Sequence, residues 1–394
     1  LAAIAFVFAR RRGRSPREFL TLLVLLIFVG ASAGYHLLVG SPSGPFYGYV
    51  RSPNADLLLY TAYPVFVVIM WRILVDVPPE KFRSALRIAI WVCFLGVVLQ
   101  IALSELGRVD LLESMGYETK IRSESLDGSG EGTMRNGTFT EGQHLGFFAG
   151  FSVFVALRMR AYLSAVAAAL SLVYSQSTTG VVGVVLVIAV LVFLRPSLNG
   201  VLRFLAIVVA LLASLNFIPV LQNLFALQFA KLGLSGFAGH VDDATTSLEV
   251  RTLKSDIATR MMFENPLLGV GPGRFGIFYF EDPQSSQSPE WYFSGNNRAI
   301  AENVYLHIGS EFGVIALVIF VIFLFQIFRR VRRAGFMDLG AYLFILIAIL
   351  TQSSWTFIPV WIALAYVFVA SPLNPVPNQI RARRLPAELG RSRT

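Results

Sequence analysis

Long apolar runs alternate with short polar connections along almost the whole chain. Mostly apolar segments fall near 19–39, 57–75, 88–106, 143–157, 161–175, 178–194, 204–222, 303–328, 338–352 and 355–370. A helix crossing the hydrocarbon core of a bilayer needs about 20 such residues. The runs are continuous rather than alternating, so they suit helices and not barrel strands. The pattern therefore predicts an all-α fold, a polytopic transmembrane helical bundle of about 10–12 helices. Composition agrees: 55% of residues are hydrophobic, 14% are charged and the mean hydropathy is +0.64, whereas a soluble domain carries about 25% charged residues.

The connections differ in charge. Most of the 33 lysines and arginines fall in 10–18, 72–87, 158–160, 195–203, 329–333 and 381–394, which is every second connection. Acidic residues favour the other connections. Basic loops stay in the cytoplasm, so these segments and the C-terminus are expected there, and the remaining loops outside. This topology, with contact to anionic lipid, explains the net charge of +9 without nucleic acid. Residues 1–9, "LAAIAFVFA", are too short to span and run into "RRRGRSPR". They read as the end of a helix arriving from outside. The expected organisation is transmembrane helices over 1–222 with an outer loop at 107–142, a large outer loop subdomain over 223–302, C-terminal transmembrane helices over 303–370 and a basic cytoplasmic tail over 371–394. The single cysteine, Cys93, excludes an internal disulfide and a cysteine-rich metal centre.

Two outer loops are long enough to carry chemistry. In the first, the flexible "DGSGEG" leads to "RNGTFTEGQHLG", which places Arg135, Glu141 and His144 at the outer membrane surface as the next helix begins. In the second, "ATTSLEVRTLKSDIATRMMFENP" reads as a helix ended by Asn265 and Pro266, with Leu248, Leu253, Ile257 and Met261 on one stripe. Arg251 and Ser255 are one turn apart on it. Arg251 is open to two readings: an anion-binding group, or a brace paired with Glu249, Asp256 or an acidic residue elsewhere. The glycine-rich "GVGPGRFG" with Arg274 reads either as a turn or as a cradle of backbone N–H groups for a pyrophosphate. A nucleotide fingerprint is disfavoured, since no buried strand precedes it.

The next helix opens at "AENVYLHIGSEFG". On a continuous helix Glu302, Gly309 and Gly313 share one face, and the two glycines favour close packing. Glu302 is either a functional carboxylate or a cap at the helix start. Glu311, deeper in the same helix, is a functional candidate by default or a structural hydrogen-bond acceptor; His307 reads as a buried polar residue. His240, Asp242 and Asp243 lack metal-ligand spacing, so no metal and no cofactor are expected. Trp291 and Tyr292 suit either sugar stacking or interface anchoring.

Taken in order, "RNGTFTEGQHLG", "YSQSTTGVV", "SLEVRTLKSD", "NPLLGVGPGRFG" and "ENVYLHIGSEFG" resemble the O-antigen ligase and polymerase superfamily, the Wzy/WaaL-like membrane glycosyltransferases, over roughly 135–330. The resemblance implies a GT-C-like membrane fold in the bacterial inner membrane. It implies glycan transfer on the periplasmic face from an undecaprenyl-pyrophosphate-linked oligosaccharide. Other polysaccharide assembly proteins are possible partners. By motif, the family's pyrophosphate-holding arginines fall on Arg251 and Arg135. A ligase has a histidine, ten residues and then a glycine, and here Glu302 stands at that histidine position before Gly313. The departure favours a polymerase of lipid-linked repeat units, with ligase-type transfer as the alternative. The chemistry needs Arg251 and Arg135 to stabilise the leaving pyrophosphate and Glu302 as candidate base. Arg274, Asn303, Glu141 and His144 are the substrate-binding candidates. A transporter of the same lipid-linked glycan is the competing class, disfavoured because no internal repeat is visible.

Overall fold

The computed structural model of the protein describes residues 17–40, 53–114, 136–139, 141–194, 241–288, 299–351 and 354–371. Every predicted apolar run except 204–222 is a helix, and that run lies outside the described residues, as do residues 1–9 and the basic tail. In chain order the helices are α1 (Arg17–Val39), α2 (Pro53–Val75), α3 (Pro79–Glu105), the short α4 (Val109–Ser114), α5 (Gly142–Arg158), α6 (Tyr162–Tyr174) and α7 (Thr178–Leu194). Two helices of the 223–302 segment follow, α8 (Val241–Glu264) and α9 (Phe275–Glu281), and then α10 (Val304–Val331), α11 (Phe336–Ala348) and α12 (Ile358–Ala370). No strand occurs among the described residues. The chain is a multi-pass membrane protein: α1, α2, α3 and α10 are long and apolar enough to span, and shorter apolar helices pack among them.

The boundaries that differ from the hydropathy reading do so for local reasons. α3 begins at Pro79, well before 88. Its first turn carries proline and Glu80, both favourable at a helix start. Phe82, Leu86, Ile90, Cys93 and Val97 then lie buried along one face. The charges between them hide this amphipathic first part from a hydropathy window. α11 and α12 are shorter than their runs because turns at 349–351 and 354–357 flank them, the second with Trp355 buried.

α10 is the central element, packed against α1, α8, α11 and α12. Its core is aromatic. Trp71 of α2 meets Phe323 edge-on at 5.2 Å, and Trp361 of α12 meets Phe320 at 5.9 Å. Outward-facing Ile27, Phe66, Val92, Leu163, Phe193 and Phe325 are exposed, as a lipid-covered surface requires. α5 fits tightly between its neighbours through small residues. A side chain at Gly150 would collide with Phe344 of α11, and one at Gly146 with Ser177. The turn holding Ser175, Gln176 and Ser177 is therefore buried. Its polar groups are met internally: Ser175 Oγ donates to Leu172 O at 2.6 Å, and Gly180 N donates to Ser177 Oγ at 3.2 Å.

The two ends of the bundle are fastened differently. At the arginine-rich end, Arg158 Nε lies 3.0 Å from Asp338 Oδ2, joining α5 to α11, and Arg330 Nε donates to Ser371 O at 2.5 Å. At the opposite end, Gln143 Nε2 donates to Thr351 O at 2.5 Å and Val304 N to Ile349 O at 2.9 Å.

The described part of the 223–302 segment has its own small core. Ile257, Ala258 and Met261 of α8 pack with Val270, Phe275, Tyr279, Ala299 and Ala301. Ile257 and Met261 thus lie on a buried stripe, as the helical spacing predicts, and Asn265 ends the helix. Arg260 braces this unit through Asp282 at 2.8 Å and Gln284 at 2.9 Å.

Candidate functional site

At the end of the bundle opposite the arginines, three charged side chains converge. Arg251 and Lys254, three residues apart on α8, face the same way and both meet Glu302, which immediately precedes the cap of α10. Arg251 Nε is 3.0 Å from Glu302 Oε2, and Lys254 Nζ is 2.5 Å from Glu302 Oε1. Their exposure is graded: the side chains of Arg251, Glu302 and Lys254 are 37%, 19% and 3% exposed. A buried ammonium is costly unless paired, so Lys254 ties Glu302 into the protein while Arg251 faces the opening.

The backbone shows how firmly Glu302 is held. Its φ is 50°, in the left-handed region, which costs an L-residue about 1–2 kcal/mol. Asn303 then caps α10: its Oδ1 accepts from Tyr305 N at 3.0 Å and Leu306 N at 3.1 Å. Glu302 is therefore not the cap, and it does not continue the helical stripe through Gly309. Such strained residues persist where surrounding contacts fix them, often at functional sites.

Below this cluster, α10 is interrupted. Gly313 has φ 88° and ψ 170°, a conformation outside the helix. The break leaves backbone groups without helical partners, and the 265–271 segment supplies them. Val270 N donates to Ser310 O at 2.8 Å, Gly271 N to Glu311 O at 3.0 Å, and Val314 N to Pro266 O at 2.8 Å. Gly269 and Gly313 lie where backbone crosses backbone, and a Cβ on either would strike main-chain atoms. The glycines of "GVGPGRFG" thus dock a loop into a broken helix. Their amides at 269–271 all donate within the protein, so the cradle reading fails and the turn reading holds.

Arg274 departs from expectation for a related reason. It is 1% exposed, and its guanidinium donates to His36 O at 3.4 Å and Gly40 O at 3.3 Å. Those carbonyls lie at the C-terminal end of α1, where a cation is favoured. Burial draws its pKa below the ordinary arginine value, and the guanidinium is engaged inside the protein. Glu311 is likewise internal. Its Oε1 accepts from Phe275 N at 3.3 Å and lies 3.2 Å from His307 Nε2, and its Oε2 accepts from Trp355 Nε1 at 2.9 Å. It ties α10, α9 and the α11–α12 turn together, matching the structural reading of an intramembrane carboxylate.

Of the sequence candidates, the structure joins Arg251 to Glu302, with Asn303 adjacent as cap. Arg135, His240, Trp291 and Tyr292 lie outside the described residues, as do the side chains of Asp242, Asp243 and Leu248. His144 stacks on Phe357 at 4.3 Å, and Glu141 occupies the N-cap position of α5 without a side-chain capping bond. Gln100 was overlooked: it is 1% exposed in α3, donates to Asn136 Oδ1 at 2.7 Å and accepts from Gly137 N at 2.8 Å, pinning the segment after Arg135. Lys254 was overlooked too, although its spacing from Arg251 was a readable signal. Ser255 Oγ donates to Arg251 O at 2.9 Å, which makes it a helix-internal group.

Among the described residues the protein is an all-helical membrane bundle with a partly exposed arginine and a buried lysine around one carboxylate at one end. Residues 163–321 match the family described as O-antigen ligase (Wzy_C). The match spans less than half of the chain, yet it contains α8, the 265–271 loop, Glu302 and the break in α10. The match implies a glycosyltransferase-type membrane enzyme with O-antigen ligase- or polymerase-type activity and lipid-linked glycan substrates. No curated protein gives a significant match to the chain.

Proposed function

We propose that the protein polymerises undecaprenyl-pyrophosphate-linked oligosaccharide repeat units of a surface polysaccharide, on the periplasmic face of a bacterial inner membrane, without a metal. The observation that carries this reading is the Arg251–Glu302–Lys254 cluster. The reaction breaks an anomeric C–O bond, and the electron pair leaves on a pyrophosphate oxygen. An arginine fork suits that leaving group, being permanently charged and bidentate. In the substrate-free protein Glu302 occupies the cations. An incoming pyrophosphate competes for Arg251, the exposed member, and frees one carboxylate oxygen. That oxygen then accepts the proton of the attacking sugar hydroxyl as the new glycosidic bond forms. Arg135 is expected to add a second cation, and Glu141, His144 and Asn303 to line the glycan path.

The test is product length in liposomes holding the full chain and a lipid-pyrophosphate repeat unit. A ladder of lengthening lipid-linked glycans is expected. Arg251→Ala should reduce it by about a hundredfold to a thousandfold, the usual effect of losing one transition-state donor. Arg251→Lys should recover only part of the loss, because the fork is gone. Full activity in Arg251→Ala would sink the site. The description of the matched family favours one second reading, ligase-type transfer, which predicts a single transfer only when a separate acceptor is added. Lipid movement across the bilayer with no transfer at all would replace both by a transporter.

A further inference from the structure

The opposite end of the bundle holds a feature that glycan transfer does not use. A cavity of about 380 Å³ is lined by Glu80, Arg83, Ser84 and Arg87 from the start of α3 and by Arg158, Met159 and Arg160 from the α5–α6 turn. Four guanidinium groups face one carboxylate there. Arg158 is paired with Asp338 at 3.0 Å, and the field of Arg83 reaches the same carboxyl. Among the described residues no carboxylate forms an ion pair with Arg83, Arg87 or Arg160. Arg83 Nε is buried without a hydrogen-bond partner.

We propose that this cavity binds the phosphodiester headgroup of an anionic phospholipid. The orienting effect of basic loops requires arginines near the membrane, but it does not require four of them around one partly open cavity. The volume falls in the range of small-molecule sites. The lining has no aromatic or amide side chain that would recognise a nucleotide base, whereas phosphate needs only forked cations and a hydroxyl such as Ser84. The surroundings point to lipid rather than a free anion. α3 and α6 pack side by side. Beyond the cavity they expose Ile88, Val92 and Leu95 on one helix and Tyr162, Leu163 and Val166 on the other, an apolar track for acyl chains. Basic pockets between transmembrane helices are suited to such headgroups.

The experiment uses the full chain released from nanodiscs of phosphatidylglycerol and phosphatidylcholine, with bound lipid counted by native mass spectrometry. Thermal unfolding is followed in parallel. Arg87→Gln with Arg160→Asn removes two cavity charges; asparagine suits the positive φ of 54° at residue 160. This pair should retain anionic lipid about fivefold less per arginine removed and lose the stabilisation by phosphatidylglycerol. Arg332→Gln with Arg333→Gln removes two exposed arginines at the same end and should leave both readouts unchanged. Equal loss in the two pairs would reduce the effect to general surface charge and overturn the site. Stabilisation of the protein in pure phosphatidylcholine by soluble glycerol phosphate, abolished by the cavity pair, would assign the cavity to a free phosphate and overturn the lipid. No preference for anionic lipid in the unaltered chain would also overturn it.

Discussion

Glu302→Gln should destabilise the protein by about 3 kcal/mol, the lower part of the range for breaking a buried ion pair. The loss comes mainly from Lys254. Its side chain is 3% exposed and its ammonium loses the carboxylate that it meets at 2.5 Å. Arg251, at 37% exposure, regains water and contributes little. The reverse change is expected to be milder. Lys254→Met removes the buried charge together with its desolvation cost, and Glu302 keeps Arg251, so about 1 kcal/mol is expected. The double variant is the decisive one. With both charges gone the buried position is apolar, and its stability should return close to that of Lys254→Met. Thermal or denaturant unfolding of all three in one detergent checks this cycle. Additive losses would mean that the two side chains do not depend on each other, and the cluster would lose its physical basis.

The break in α10 sets up the second large effect. Gly313→Ala should cost about 4 kcal/mol, from two sources. The φ and ψ of Gly313 belong to a region that is almost exclusively glycine's, at about 1–3 kcal/mol for another residue. A Cβ there would also lie 2.6 Å from the carbonyl oxygens of both Pro266 and Leu267, and forced overpacking adds about 1–3 kcal/mol. Gly34→Ala in α1 is the matched control. No heavy atom lies within 4 Å of its added methyl, and a helical glycine replaced by alanine gains up to about 1 kcal/mol. The two variants should therefore move the unfolding midpoint in opposite directions. A midpoint for Gly313→Ala equal to that of the unaltered chain would show that α10 can run straight.

What could be read in the sequence follows from how each feature is encoded. Transmembrane helices are written in composition, so the runs from α1 to α12 were visible within a few residues. The exception at the start of α3 arose because Arg83 and Arg87 fall in sequence between members of the buried stripe and lower the hydropathy there. The ion pair of Arg251 was open in the sequence between Glu249, Asp256 and a distant partner. The partner is Glu302, 51 positions along the chain, and periodicity carries no information across that separation. The stripe joining Glu302 to Gly313 assumed a straight helix. A glycine within an apolar run does not announce whether it serves close packing or a break, and Gly313 does the latter. The glycine-rich loop stayed open between turn and cradle for the same reason: convergent amides fit an anion and a row of broken-helix carbonyls equally well. The structure supplies the carbonyls. Arg274 went unread because its partners are main-chain oxygens of α1, which have no sequence signature.

The docking of 265–271 into α10 also has a dynamic consequence. An outer loop of a membrane enzyme commonly opens on its own, and its amide protons then exchange with water within seconds to minutes. Here Val270, Gly271 and Val314 donate to carbonyls across the break. Their protons can be released only when loop and helix part. Their deuterium uptake should be slow and share one rate, tied to opening of α10 itself, so the segment beneath the Arg251–Glu302 cluster behaves as part of the bundle's rigid frame and not as a lid.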